Sequence, residues 1–163
     1  HLEALLQTDE KSLVSLMHVN NEIGNILDIQ KVAGLCQANK VLFHTDAVQS
    51  VGHYALDLQD IQIDFLAASA HKFHGPKGIG LLVYDSKLTL NPQLHGGKQQ
   101  FGVRAGTLPV PLIMAFAKVV ELTTARQQET EKYLLKLHTY LIEGLKKLDF
   151  LVHYVQQVFQ KTK

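Results

Sequence analysis

Apolar residues in this chain fall in short runs separated by polar or amphipathic stretches. Residues 13–19 form the first run and read as a strand, with Asn20-Asn21-Glu22-Ile23-Gly24 as the loop at its end. Asp28 is placed to cap a helix over 29–39, in which Ile29, Val32, Leu35 and Cys36 share one face. Runs at 41–44, 63–68 and 79–84 predict three more strands, the first ending in a polar loop over 45–50. Strands alternating with helices predict an α/β fold with a mostly parallel sheet. In such sheets the ligand crevice lies outside the strand C-terminal ends, and Asn21, Asp46, Gln49 and Lys72 all fall just after apolar runs. Beyond Pro92 the chain turns polar and Gly-rich. A long helical region over 111–148 follows, with Leu134, Leu137, Leu141, Leu145 and Leu148 as an apolar stripe. Clustered β-branched and polar residues predict a bend at 123–128, and the stripe reads as packing rather than as a partner motif.

Composition narrows the picture. At 163 residues and 46% apolar content the chain suits one domain, or one domain and part of another. A core of this size buries roughly 70% of the surface of the unfolded chain. The net charge of +1, with no basic cluster beyond Lys146-Lys147, gives no footprint for nucleic acid. No apolar stretch approaches the roughly 20 residues that span a bilayer. The single cysteine, Cys36, excludes an internal disulfide framework and suits a reducing cytoplasm. On an apolar helix face it reads as a small hydrophobe. His18, His44, His53, His74, His95, His138 and His153 are scattered without metal-ligand spacing. Residues 1–7 read as the middle of a helix, and 150–159 as a strand without its partners, so the chain is expected to be a piece of a longer protein.

The densest chemistry lies at Ser69-Ala70-His71-Lys72, followed by Phe73-His74-Gly75-Pro76-Lys77-Gly78-Ile79-Gly80. A strand that ends in Ser-x-His-Lys and turns back through Gly and Pro is suited to holding one amine in a fixed, partly dry place. Lysine forms Schiff bases when desolvation or positive neighbours lower its pKa, so a carbonyl cofactor at Lys72 is expected, with pyridoxal phosphate the leading candidate. Asp46 would keep a pyridine nitrogen protonated, or simply cap a turn. Gln49 and Asn21 are candidate donors to the ring's phenolic oxygen, although Asn20-Asn21 also suits a plain turn. Ser69 and His71 are candidates for the cofactor phosphate, and His71 also for moving protons. The Gly75–Gly80 stretch matches no phosphate loop and enters a strand, so its glycines are read as permitting tight turns at positive φ.

Together these blocks resemble the class V aminotransferase group of fold-type I pyridoxal-phosphate enzymes, and most closely the cysteine desulfurases. The resemblance rests on Met17-His18-Val19-Asn20-Asn21-Glu22-Ile23-Gly24, on His44-Thr45-Asp46-Ala47-Val48-Gln49-Ser50-Val51-Gly52, and on Ser69–Gly80. It continues through His95-Gly96-Gly97 to Arg104-Ala105-Gly106-Thr107, all in the family's order and spacing. It implies that Lys72 is the cofactor lysine and a proton carrier at the substrate α-carbon. Asp46 is then the partner of the pyridine nitrogen, Gln49 and Asn21 flank the phenolic oxygen, and Ser69 and His71 hold the phosphate. Thr107 would reach the phosphate on a second subunit, implying a homodimer.

By the same resemblance, 1–125 is the C-terminal half of the large cofactor domain, and 126–163 leads by long helices into a small domain. The parent would convert L-cysteine to L-alanine, passing the sulfur as an enzyme persulfide to a scaffold protein or a tRNA-thiolation enzyme. Rival readings are a selenocysteine lyase, an aminotransferase, or a folded piece without catalysis. The sequence departs from the family where Gln100 and Phe101 follow Gly97-Lys98-Gln99, an amide replacing the usual glutamate. The family's N-terminal phosphate helix, its ring-stacking histidine, its persulfide cysteine and its carboxylate-binding arginine have no match in this chain, and Cys36 falls at the wrong place for the persulfide.

Overall fold

A computed structural model describes residues 1–7 and 10–148. The expected strand at 150–159 lies outside the described residues. Four strands form one sheet in the order β1 (Leu13–Met17), β2 (Leu42–Asp46), β3 (Phe65–Ser69), β4 (Gly80–Tyr84). β1, β2 and β3 run parallel, and β4 is antiparallel to β3. The expected α/β fold with a mostly parallel sheet is therefore present.

Helix α1 (Leu2–Leu5) is a single turn preceding the sheet, shorter than the helix that residues 1–7 suggest. Helix α2 (Ile29–Ala38) begins as expected at Asp28, whose carboxylate accepts from the Lys31 backbone N–H at 3.0 Å. It lays Ile29, Val32, Ala33 and Cys36 against Phe43, and Val14 packs on the same cluster. Its neighbouring cluster joins Ala47, Leu66 and Ala68 to Val51, Leu56, Ile63 and Leu81. All the strand residues in these clusters point to one side of the sheet, because period-2 alternation puts Val14, Phe43, Leu66, Ala68 and Leu81 in register.

The opposite side is open. Leu13 is 55% exposed and Leu82 50%, so the sheet is covered on one face only among the described residues.

Helix α3 (Val110–Leu145) is one helix of 36 residues rather than several, and it runs without a break through 123–128. The Thr123 hydroxyl there donates back to the Val119 and Val120 carbonyls, at 2.8 and 3.1 Å. Bonded back onto its own helix, that side chain leaves the backbone ladder unbroken. Near its start α3 packs on the lysine turn, where Phe116 meets Phe73 edge to face at 5.6 Å between ring centroids. Farther along, Leu134, Leu137 and Leu141 stand exposed, so the stripe expected to be packing has no cover among the described residues.

Candidate functional site

β2 and β3 end side by side, and their C-terminal ends carry the candidate residues. Asp46 is the last residue of β2 and pairs with Met17 on one side and Ala67 on the other. Its Oδ1 accepts from the Val48 backbone N–H at 2.9 Å, so the turn-capping reading holds for one oxygen. The other oxygen has no hydrogen bond among the described residues. His44 shares the open face with Asp46, and its Nδ1 lies 2.7 Å from the Ser15 hydroxyl.

Ser69 ends β3 on that same open face, two residues or roughly 7 Å beyond the partner of Asp46. A 3₁₀ turn over Ala70–Phe73 follows at once. Ala70 and Phe73 face inward, fully buried, which turns His71 and Lys72 outward. The Ser69 hydroxyl sits 3.0 Å from His71 Nδ1, joining the two candidate phosphate ligands. Lys72 is exposed rather than in the partly dry place expected of it, because a turn with two inward anchors must present its two middle side chains to the surface.

Positive φ in the return loop belongs to His74 (71°) and Gly78 (84°). Gly75 serves another purpose: a Cβ there would lie 2.8 Å from the Ala70 carbonyl oxygen and 3.0 Å from a Val119 methyl. Its hydrogen atom lets the turn, the loop and α3 close on one another.

Gln49 lies in the helical turn after Asp46 and is half-buried. That turn is tied by the Ser50 hydroxyl to the Ala47 carbonyl, and by the Ala47 N–H to the Ala67 carbonyl at 2.9 Å. Asn21 is exposed in the loop after β1 and donates to Glu22 Oε1 at 2.7 Å. Its neighbour Asn20 takes the turn role, accepting from the Glu22 and Ile23 N–H groups at 3.0 Å each.

Thr107 makes no hydrogen bond to this cluster among the described residues. It lines a surface concavity with Leu94, His95, Gly97, Gln99 and Arg104, to which none of the strand-end candidates contributes. At the departure in this segment, Gln100 and Phe101 both adopt left-handed backbone (φ 47° and 58°), with the Phe101 ring fully exposed.

Two histidines acquire neighbours that their scattered positions do not announce. His18 is buried, with an unpartnered Nδ1 and Tyr54 5.9 Å away between ring centroids, and burial lowers its pKa. His53 places Nε2 3.2 Å from the Lys72 carbonyl oxygen. A side chain that meets a backbone carbonyl 19 positions away leaves no periodic trace in a sequence. Cys36 is 1% exposed, and burial followed by the charge of Asp64 pushes its thiol up, as suits a core residue.

The chemistry of this cluster suits pyridoxal phosphate. A hydroxyl and an imidazole are phosphate donors, a carboxylate with a free oxygen suits a pyridinium N–H, and an exposed lysine follows in the turn after β3.

Comparison with known proteins agrees with this chemistry. The aminotransferase class-V family matches residues 1–163. The cysteine desulfurase IscS of Methanosarcina thermophila is 45% identical over 140 residues, which is 86% of this chain and 35% of that protein. IscS of Vibrio cholerae serotype O1 is 42% identical over 150 residues, covering 91% of this chain and 37% of that protein. Among solved structures, a NifS-like protein from Rickettsia africae superposes with a TM-score of 0.87 at 33% identity, covering 91% of this chain and 42% of its own. DndA from Streptomyces lividans does so with a TM-score of 0.83 at 34% identity, covering 96% and 46%. The chain thus spans little more than a third of the length of the curated relatives it matches.

Proposed function

Because the chain belongs to the aminotransferase class-V family, we propose that its parent protein is a pyridoxal-phosphate-dependent cysteine desulfurase that converts L-cysteine to L-alanine and passes on the sulfur. The observation that carries this reading is the meeting of Asp46, Ser69, His71 and Lys72 at the ends of β2 and β3. Bound there, pyridoxal phosphate supplies an electron sink for negative charge at the substrate α-carbon.

The chain's own residues have separable tasks. Lys72 binds the cofactor carbonyl through Nζ and then carries a proton to and from the substrate α-carbon. Ser69 and His71 hold the phosphate, with the hydroxyl–imidazole contact orienting both donors. Asp46 offers its free oxygen to the ring N–H while Val48 fixes the other, so the carboxylate is aimed before anything binds. Gln49 and Asn21 donate to the phenolic oxygen. Asn21 must first leave Glu22 to do so. Thr107, which lines a concavity that none of the strand-end candidates enters, serves the phosphate of a second copy in this reading, with the parent a homodimer. Residues 126–163 begin a second, smaller domain, a division supported by the exposed leucines of α3 beyond its contact with the lysine turn. The sulfur acceptor is a scaffold protein or a tRNA-thiolation enzyme. No described helix is long and apolar enough to cross a membrane, in keeping with a cytoplasmic enzyme.

The test uses the full-length parent. Wild-type protein incubated with pyridoxal phosphate should gain a visible absorption band, and borohydride should then fix the pyridoxyl group to Lys72, read by peptide mass. Lys72→Ala should abolish both and reduce alanine release from cysteine by at least about 10²- to 10⁴-fold, the usual worth of a positioned acid–base group. Attachment at another lysine, or a band that survives the substitution, would sink the assignment.

A further inference from the structure

The short 3₁₀ turn that bears Lys72 has the problem of every helix end: its last carbonyls lack partners within the helix. Its first carbonyl, that of Ala70, is well met, accepting from the His74 N–H at the C-cap and from the Gly75 N–H at 2.8 Å. The Lys72 carbonyl points elsewhere. It faces His53 Nε2 at 3.2 Å, from a loop that belongs to β2 rather than to β3. A carbonyl oxygen only accepts, so His53 must carry its proton on Nε2 and donate.

The loop holding His53 is itself tightly set. His53 and Tyr54 both donate their N–H groups to the Ser50 carbonyl at 2.9 Å. Gly52 beside it adopts φ 82° and presses on the lysine turn so closely that a Cβ would sit 2.8 Å from Phe73 Cβ. Gly52 and His53 therefore grip the turn from one side, through one steric contact and one hydrogen bond. The same loop begins with Asp46 and Gln49. Two segments that must agree in position, one carrying the carboxylate and the other the lysine, are thus fastened together at a point away from the cofactor itself.

We propose that His53 is a positioning residue for Lys72. By holding the Lys72 peptide plane, it fixes the direction in which the lysine side chain leaves the backbone relative to Asp46. The assignment rests on the reading of Lys72 as the cofactor lysine, but the grip on the turn is a property of the chain alone. His53 touches no substrate or cofactor in this scheme. It acts through a peptide group, and any donor at the place of Nε2 should replace it.

Two substitutions in the full-length parent separate position from bulk. His53→Phe keeps an aromatic ring and removes the donor, whereas His53→Gln returns an N–H near the place of Nε2. A typical net hydrogen bond corresponds to about a three- to tenfold change in a local equilibrium. Hydrogen–deuterium exchange of the peptide spanning 70–76 in cofactor-free protein should therefore quicken by about that factor in His53→Phe and return to within about twofold in His53→Gln. Amides of β2 should be unchanged in both. In loaded protein, pyridoxal phosphate release should follow the same order, with a shifted absorption band only in His53→Phe.

Wild-type exchange and cofactor retention in His53→Phe would overturn the proposal. So would a His53→Gln variant as impaired as His53→Phe, or loosening spread through β2. If wild-type protein never attaches pyridoxal phosphate at Lys72, the proposed function fails, while the exchange arm still decides whether His53 holds the turn.

Discussion

Single side chains set the polarity of this site, and burial decides which of them can titrate. His18 is enclosed, and desolvation lowers its pKa from 6.5. As pH falls below the unfolded value, the unfolded chain binds a proton that the folded chain still refuses, so stability drops. The loss from this group is complete once pH passes below the folded pKa, and absent well above about 6.5. Urea midpoints taken from about pH 8 down to about pH 5 should therefore decline, and His18→Phe should flatten that part of the profile. A decline of the same size in the variant would place its cause elsewhere. At this scale the sequence was readable in where the candidate residues lie. Ser69, His71 and Lys72 are adjacent, so a strand end followed by a tight turn must bring them together. The Lys72 surroundings were not readable, since exposure depends on Ala70 and Phe73 both turning inward. His53 was equally hidden, because its contact lies across two loops.

Secondary-structure elements follow local rules, and their limits follow from those rules. α2 starts at the carboxylate that the pattern named, and Asp28→Ala should destabilise the protein by about 1 kcal/mol, read from chemical denaturation. A change below about 0.3 kcal/mol would mean that the cap is replaced by solvent or a neighbour. The strands were legible as short apolar runs, whose alternate positions Val14, Phe43 and Leu66 fall in register on the covered face. The long helical region was legible as well, and across the polar cluster at 123–128 Thr123 folds its hydroxyl onto its own helix while α3 carries on.

Among the described residues the molecule is one-sided, with helices and loops gathered over one face of a four-stranded sheet. Open edges along β1 and β4 and exposed Leu13 and Leu82 on the bare face form a template for association. This chain alone should self-associate with rising concentration, and the double substitution Leu13→Lys and Leu82→Lys should hold it monomeric, as sedimentation velocity would report. A wild-type chain that stays monomeric at high concentration would show that the bare face is harmless. One-sidedness was the least legible property in the sequence, since apolar content counts residues without saying which surfaces meet. α3 has a mechanical consequence of its own. At 36 residues it is a rod about 54 Å long, fastened in its first half, where Phe116 meets Phe73, Val119 lies against Gly75 and Thr123 against Gly52. From Thr123 to Leu145 the arm extends about 33 Å, so a tilt of about 5° at the fastening sweeps the far tip through about 3 Å. A small repacking beside Phe73 would in this way be magnified at the far tip of the helix.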